Sequence, residues 1–368
     1  MERLDRGQWT DSQILDALRG RDGSHTILFR ADIIRNNAKV REITIAPGSS
    51  VSLNVDAAIG RTARFTLYEP LDWLKEEIKP YMMLRMGSEY AEFPLGVFIP
   101  STPRRVGTDG ANEWIVEAYD RTVILAEDGL DAPLYLAAGT LYLDAVEDIL
   151  AGAGAANVMV AGYVTTALPA DREFEIGMSK LDVINTLLSE INYNPIHCDV
   201  DGRFVLSAFK QPTPDRIDFT YAADALSIIS TDTSAETDFY GMPNVFLAIC
   251  SNPDLDVDYR SVYTNDNPAS QFSTIQRGRR IISQTYQPDQ IASQKDLDAY
   301  IRRIAFEQMQ TASETVSFRT ALMPIHGRGD TLAIRHPDID GVFAESGWTI
   351  SLEAGAEMEH TARRVVLI

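Results

Sequence analysis

Five histidines, His25, His197, His326, His336 and His360, are the first places to look for chemistry. No two stand three or four residues apart, so no helix can offer a pair of imidazoles to one metal ion. His336-Pro337-Asp338-Ile339-Asp340-Gly341 combines an imidazole with two carboxylates, but reads more simply as a loop ahead of a strand. Two acidic runs, Asp254-Leu255-Asp256-Val257-Asp258 and Asp199-Val200-Asp201-Gly202, begin like calcium loops. Such a loop closes with a glutamate at its twelfth position, and neither run has one. The first reads as a solvated strand edge and the second as a hairpin turn.

Nucleophile and phosphate motifs are absent: there is no GxSxG, HExxH, GxxxxGK[ST] or GxGxxG. Gly177-Met178-Ser179 lacks the closing glycine of a nucleophile elbow, and Ser179 reads as a helix cap. With 53 Asp and Glu, paired carboxylates for glycoside cleavage are available, yet no spacing singles out two of them. The expectation is therefore no catalytic, cofactor-binding or metal-ligating residue, no cofactor and no enzyme activity. Arg277-Gly278-Arg279-Arg280 is the one dense basic patch. It is either a turn entering a strand at Ile281-Ile282 or a ring of arginines facing an acidic neighbouring subunit. Cys198 and Cys250 have no CxxC or CxxH partner and read as two small buried hydrophobes, which suits a reducing cytosol.

The elements that must position such residues are constrained by composition. A chain of 368 residues exceeds one ordinary core, and its 45% hydrophobic and 23% charged residues describe a globular protein. The net charge of −20 is unevenly placed: residues 109–258 hold 26 Asp and Glu against 6 Lys and Arg, while the flanks hold 27 of each. An acidic surface repels phosphate, which argues against sequence-specific nucleic-acid binding. It leaves a solvated face, or a wall past which DNA can slide. The N-terminus has no apolar signal region, and no run approaches the roughly 20 apolar residues of a membrane helix, so neither secretion by its own signal nor membrane insertion is expected.

Periodicity divides the chain into four parts. Residues 1–24 form an arm in which Thr10 or Asp11 caps a helix over Ile14, Leu15 and Leu18. Residues 25–130 are β: strands at 27–34, 40–45, 51–55, 63–67, 81–86, 93–99 and 114–120, with a brief helix over Trp73–Ile78. Residues 131–212 form an α/β module in which Thr140 and Ser179 cap two helices and Asp201-Gly202 turns a hairpin. Residues 213–368 return to β: a strand at 244–250, a polar loop from Asn252 to Gln271, a long helix at 294–311 capped by Ser293, and strands at 315–322, 330–335, 347–352 and 363–368, with Ala354–Thr361 as a loop. The fold class is α+β, mainly β.

Several segments resemble the baseplate hub family of long-tailed phages and phage-tail-like particles. They are Tyr119-Asp120-Arg121-Thr122, Ala138-Gly139-Thr140 before a helix, Phe174-Glu175-Ile176-Gly177-Met178-Ser179-Lys180 leading into Asn185-Thr186-Leu187-Leu188 and Ile191-Asn192-Tyr193, then Asp199 to Phe204, then Asn267-Pro268-Ala269-Ser270 ahead of Gly278-Arg279-Arg280. Their order and spacing run from about residue 25 to the C-terminus. The resemblance implies two tail-tube-like β-barrel or sandwich domains around the α/β module. It also implies a homotrimeric ring with a central channel, joining a sixfold tail tube or distal tail protein to a threefold spike or tip, with a tape-measure protein as a further partner. The corresponding location is the virion tail baseplate, assembled in the host bacterial cytoplasm. No lysozyme-like or peptidase stretch follows the last strand, so wall degradation is expected to belong to another protein. A distal tail or receptor-contacting tail protein is the nearest alternative, and a cell-wall hydrolase a more distant one.

Overall fold

The computed structural model describes residues 2–21, 26–108, 111–155, 157–224, 227–237, 240–252 and 257–368. Among the histidines, His25 lies outside the described residues, as do Asp254, Leu255 and Asp256 of the first acidic run.

Helix α1 (Asp11–Leu18) starts at Thr10, whose side chain and that of Gln13 cap each other's backbone amides, and it buries Ile14 and Leu18. Strands β1 (Ile27–Arg35), β2 (Ala38–Thr44), β3 (Ser50–Asn54) and β4 (Arg61–Leu67) follow the alternating segments of the sequence. The short helix expected at Trp73–Ile78 does not form. A turn on Asp72 occupies 72–76, and β5 (Glu77–Met86) begins at once. Its alternating burial outweighs helix propensity. Pro80 is tolerated because it sits where β5 changes partner from β7 (Phe98–Pro100) to β6 (Glu89–Pro94), so no ladder bond needs its missing N–H. Strands β8 (Arg104–Thr108) and β9 (Ala111–Asp120) complete this part.

The central module holds α2 (Thr122–Glu127), β10 (Leu134–Leu136), α3 (Tyr142–Gly152), β11 (Val158–Ala161), β12 (Arg172–Phe174), α4 (Lys180–Glu190), β13 (His197–Cys198) and β14 (Phe204–Ser207). Ser179 caps α4 by accepting from the Asp182 amide. Thr140 does not cap α3. The N-cap is Leu141, without a side-chain bond, because the Thr140 carbonyl is drawn into a bridge with Leu168. One core, with Leu143, Val146, Leu150, Ile184, Leu187 and Phe204, holds the module together.

The C-terminal part comprises β15 (Phe219–Ala222), β16 (Ile229–Glu236), β17 (Val245–Asn252), β18 (Val257–Thr264), α5 (Thr274–Arg277), β19 (Ile282–Tyr286), α6 (Gln294–Thr311), β20 (Thr315–Ala321), β21 (Thr331–Arg335), β22 (Asp340–Ser351) and β23 (Glu357–Arg364). Two expectations fail here. Residues 252–271 are not one long loop, since β18 pairs along the whole of β17 and its tyrosines 259 and 263 pack into the core under α6. The last strand is Glu357–Arg364 rather than 363–368, and it takes up most of the segment read as a loop. Its inward residues are Met358, His360 and Ala362, and a histidine among glutamates hides the period of two.

A 15-stranded sheet spans both β parts, with eleven strands in the order β16-β20-β23-β22-β3-β4-β9-β7-β5-β1-β2 and β6, β8, β15 and β21 paired off this path; it is joined where β22 pairs with β3, and among the described residues it stays open rather than closing into a barrel. Trp348, Ile350 and Met358 of the C-terminal part lie in the same core as Phe65, Phe93 and Val116 of the first.

Candidate functional site

An open sheet ends in strands whose outer N–H and C=O groups seek partners. At one end of the large sheet, β2 is guarded by charge: Lys39 pairs with Asp32 (2.6 Å) and Glu42 (3.2 Å), and Arg41 with Glu69 (2.8 Å). The three-stranded sheet β18-β17-β19 is less protected. Phe246, Ala248 and Cys250 of β17 face α6, while Leu247 and Ile249 face outward beside Val262, 49% exposed. Strand β19 carries no charge, leaves Ile282 61% exposed, and pairs on one side only, with β17, among the described residues.

The basic turn leads straight into that edge. Ser273 caps α5, and Gly278 takes the left-handed conformation (φ 61°) that ends it. Asn244 then holds the turn, donating to the Arg279 carbonyl (3.0 Å) and accepting from the Ile281 amide (2.8 Å). Arg277 lies over the Phe272 ring, whereas Arg279 and Arg280 are exposed and pair with no acidic side chain among the described residues. Of the described acids in 109–258, Asp120 and Glu190 alone are buried, so the acidic excess faces outward.

A cleft of about 510 Å3 runs between the central module, α6 and the large sheet, lined by Asp56, His197, Phe306, Arg328, Glu345 and Arg363. Arg363 grips Asp56 across it through two bonds of 3.1 and 2.6 Å.

Deep beneath the cleft, His326, Glu345 and His360 bring their nitrogen and oxygen atoms within 4.8 Å of one another. All three side chains are 0% exposed. His360 stacks on Phe318, its register partner, with rings 4.7 Å apart and 5° from parallel. A register shift between Glu345 and Gly347 leaves Ser346 as the extra residue of a bulge, switching the inward positions of β22 from odd to even numbers. His360 Nδ1 is 2.6 Å from Glu345 Oε1, and His326 Nδ1 is 3.2 Å from Oε2. Desolvation pushes the Glu345 carboxyl up to about 8, and it pushes His360 down to about 3.

No family model matches the chain, and no curated protein does. Solved structures do. A tail protein from Neisseria meningitidis MC58 superposes with a TM-score of 0.64 over 92% of this chain and 97% of that one, at 13% identity. The 43 kDa tail protein of prophage MuSo2 from Shewanella oneidensis gives 0.61 over 91% and 98%, at 8% identity. Prophage tail protein gp18 from Listeria monocytogenes EGD-e gives 0.55 over 91% and 94%, at 10% identity. The chain has the phage tail-protein fold.

Within this tail-protein fold, the residues singled out in the sequence scatter. His197 lies on the hairpin lining the cleft, and His336 sits in the turn between β21 and β22, where its Nδ1 accepts from the Asp338 amide. Asp199 accepts from the Asp201 and Arg203 amides and from the Arg203 guanidinium, which is a hairpin turn, while Asp201 pairs with Lys79 at 2.7 Å. The triad of His326, Glu345 and His360 was missed by spacing alone. Its members are 19 and 15 residues apart; the pairing of β22 with β23 brings Glu345 to His360, and the loop between β20 and β21 brings His326 to both. Correct placement of β23 would have set His360 among buried positions and given the one available signal.

Proposed function

We propose that this protein is a structural subunit of a phage or phage-like tail, acting as a baseplate hub with no catalytic activity of its own. Three copies form a ring with a central channel. One face docks on the tail tube or distal tail protein and the other on a spike or tip, with a tape-measure protein as a further neighbour. Residues 25–130 and 213–368 act as the two tube-like parts and 131–212 as the module between them. The protein works in the virion tail, after assembly in the host bacterial cytoplasm. The observation that carries this reading is likeness in fold to tail proteins along nearly the whole of both chains. The uncharged β19 edge beside exposed Arg279 and Arg280, which pair with no acid among the described residues, on a chain whose described acidic excess faces outward, supplies a basic patch and an acidic partner surface on identical copies. Self-association through such a patch buries an edge that would otherwise invite non-specific pairing. DNA passes a predominantly acidic surface without adhering. Native mass spectrometry of the purified chain tests the reading. A trimer, alone or on mixing with the tail-tube and spike proteins, is expected. A strict monomer with no affinity for either overturns it.

A further inference from the structure

We propose that His326, Glu345 and His360 bind one divalent transition-metal ion of the zinc class, as a structural centre that locks the loop between β20 and β21 onto β22 and β23. The argument starts from hydrogen bonds. Thr320 Oγ1 lies 2.8 Å from the Ala321 carbonyl and 2.9 Å from His360 Nε2, so when its hydrogen goes to the carbonyl it accepts from the imidazole. In that arrangement His360 carries its proton on Nε2, and its Nδ1 turns a lone pair on Glu345 Oε1 at 2.6 Å. Two such atoms at that distance hold either a proton or a metal ion between them. Glu345 pairs with no Lys or Arg among the described residues, although its side chain is 0% exposed.

A second observation points the same way. His326 Nδ1 and Glu345 Oε2 are both buried and lack a hydrogen-bond partner among the described residues, although they face each other at 3.2 Å, with Asp330 Oδ2 3.6 Å from the same nitrogen. That is close to the roughly 3.3 Å separating two ligand atoms that each sit about 2.0–2.1 Å from a tetrahedral zinc. The far nitrogen of each ring is held by a hydroxyl, Tyr221 at 2.6 Å on His326 and Thr320 at 2.9 Å on His360. Where such an outer contact accepts the Nε2 proton, Nδ1 is free to ligate. The Trp348 indole bonds the His326 carbonyl at 3.2 Å and fixes that loop. On binding, the His360 ring has to withdraw from Oε1 by about 0.7 Å to admit the ion. The cleft lined by Glu345 and Ser346 is the nearest route in.

The test uses the full chain, refolded with and without ZnCl2 or CoCl2 after chelation in denaturant. One equivalent of zinc per chain is expected, with a raised Tm, and cobalt should give the visible bands of a four-coordinate site. Glu345→Gln and His360→Gln should each weaken zinc binding at least about a hundredfold. X-ray absorption on the wild-type zinc form should show two imidazole nitrogens and carboxylate oxygen at about 2.0–2.2 Å, which decides the matter even if the variants do not fold. Substoichiometric zinc with no cobalt spectrum in wild type, or equal binding by the folded variants, overturns the proposal and leaves a proton as the bridge between Glu345 and His360.

Discussion

Arg121 and Glu77 form a two-pronged ion pair, Nε at 2.8 Å and Nη2 at 2.6 Å from the two carboxylate oxygens, and the remaining arm of Arg121 reaches the Gly202 carbonyl at 3.2 Å. The pair ties the end of β9 to β5, and the third bond ties both to the hairpin turn of the central module. Asp120, the preceding residue, is buried and accepts from the Thr122 and Arg61 amides. The Tyr119–Thr122 segment is thus a joint between the first β part and the module.

Breaking that pair leaves Glu77 without its partner in a mostly desolvated place. Arg121→Ala should cost roughly 2–4 kcal/mol of unfolding free energy. A double-mutant cycle with Glu77→Gln, read by urea denaturation, should return a coupling above about 1 kcal/mol. Additive losses would show that the two side chains do not act together.

Gly202 has φ 75°, and a Cβ there would stand 2.8 Å from Val97 Cβ and 2.9 Å from its Cγ2. Gly202→Ala should therefore destabilise by about 2–4 kcal/mol, the sum of left-handed strain and overlap. Gly177→Ala, also at φ 85° but with nothing within 4 Å, isolates the strain alone and should cost less. Equal losses in the two variants would remove the contact with Val97 from the account.

Glu190 is buried against Arg172 (3.1 Å) and Tyr142 (3.0 Å), and Arg172 continues to Asp289 (3.0 Å) in the C-terminal part. Desolvation outweighs the Arg172 charge and raises the Glu190 carboxyl to about 7. The folded chain then holds a proton that the unfolded chain releases near 4.5, so this group's stabilisation is complete below that pH. It is lost as pH rises through about 7, to a total on the order of 3 kcal/mol. Glu190→Gln should flatten this part of the pH profile of the urea midpoint, and an unchanged slope from pH 5 to 7 would contradict it.

Reversal of charge at Arg279 and Arg280, exposed and without acidic partners among the described residues, should leave the unfolding free energy within about 0.5 kcal/mol. In the proposed ring it should dissociate the trimer in native mass spectra and weaken association more at low than at high salt. An intact trimer in the double variant would move the interface elsewhere.

Local signals in the sequence settled the elements whose periodicity and caps are strong. Thr10, Ser179 and Ser293 announce α1, α4 and α6, Asp201-Gly202 announces its hairpin, and alternation announces β3 and β4. Signals failed where partners far along the chain override propensity. The turn at Trp73 packs on Trp114, with ring centroids 5.5 Å apart, and β18 exists because β17 offers it a register.

What the sequence determined by itself was a mainly β, acidic chain with a small α/β centre, because charge, caps and the period of two are local properties. What only the tertiary structure decided was that β22 and β3 weld the two β parts into one open sheet, and that His326, Glu345 and His360 meet in its interior. Strand register is fixed by which faces can be buried together, and that depends on residues hundreds of positions apart rather than on any spacing along the chain.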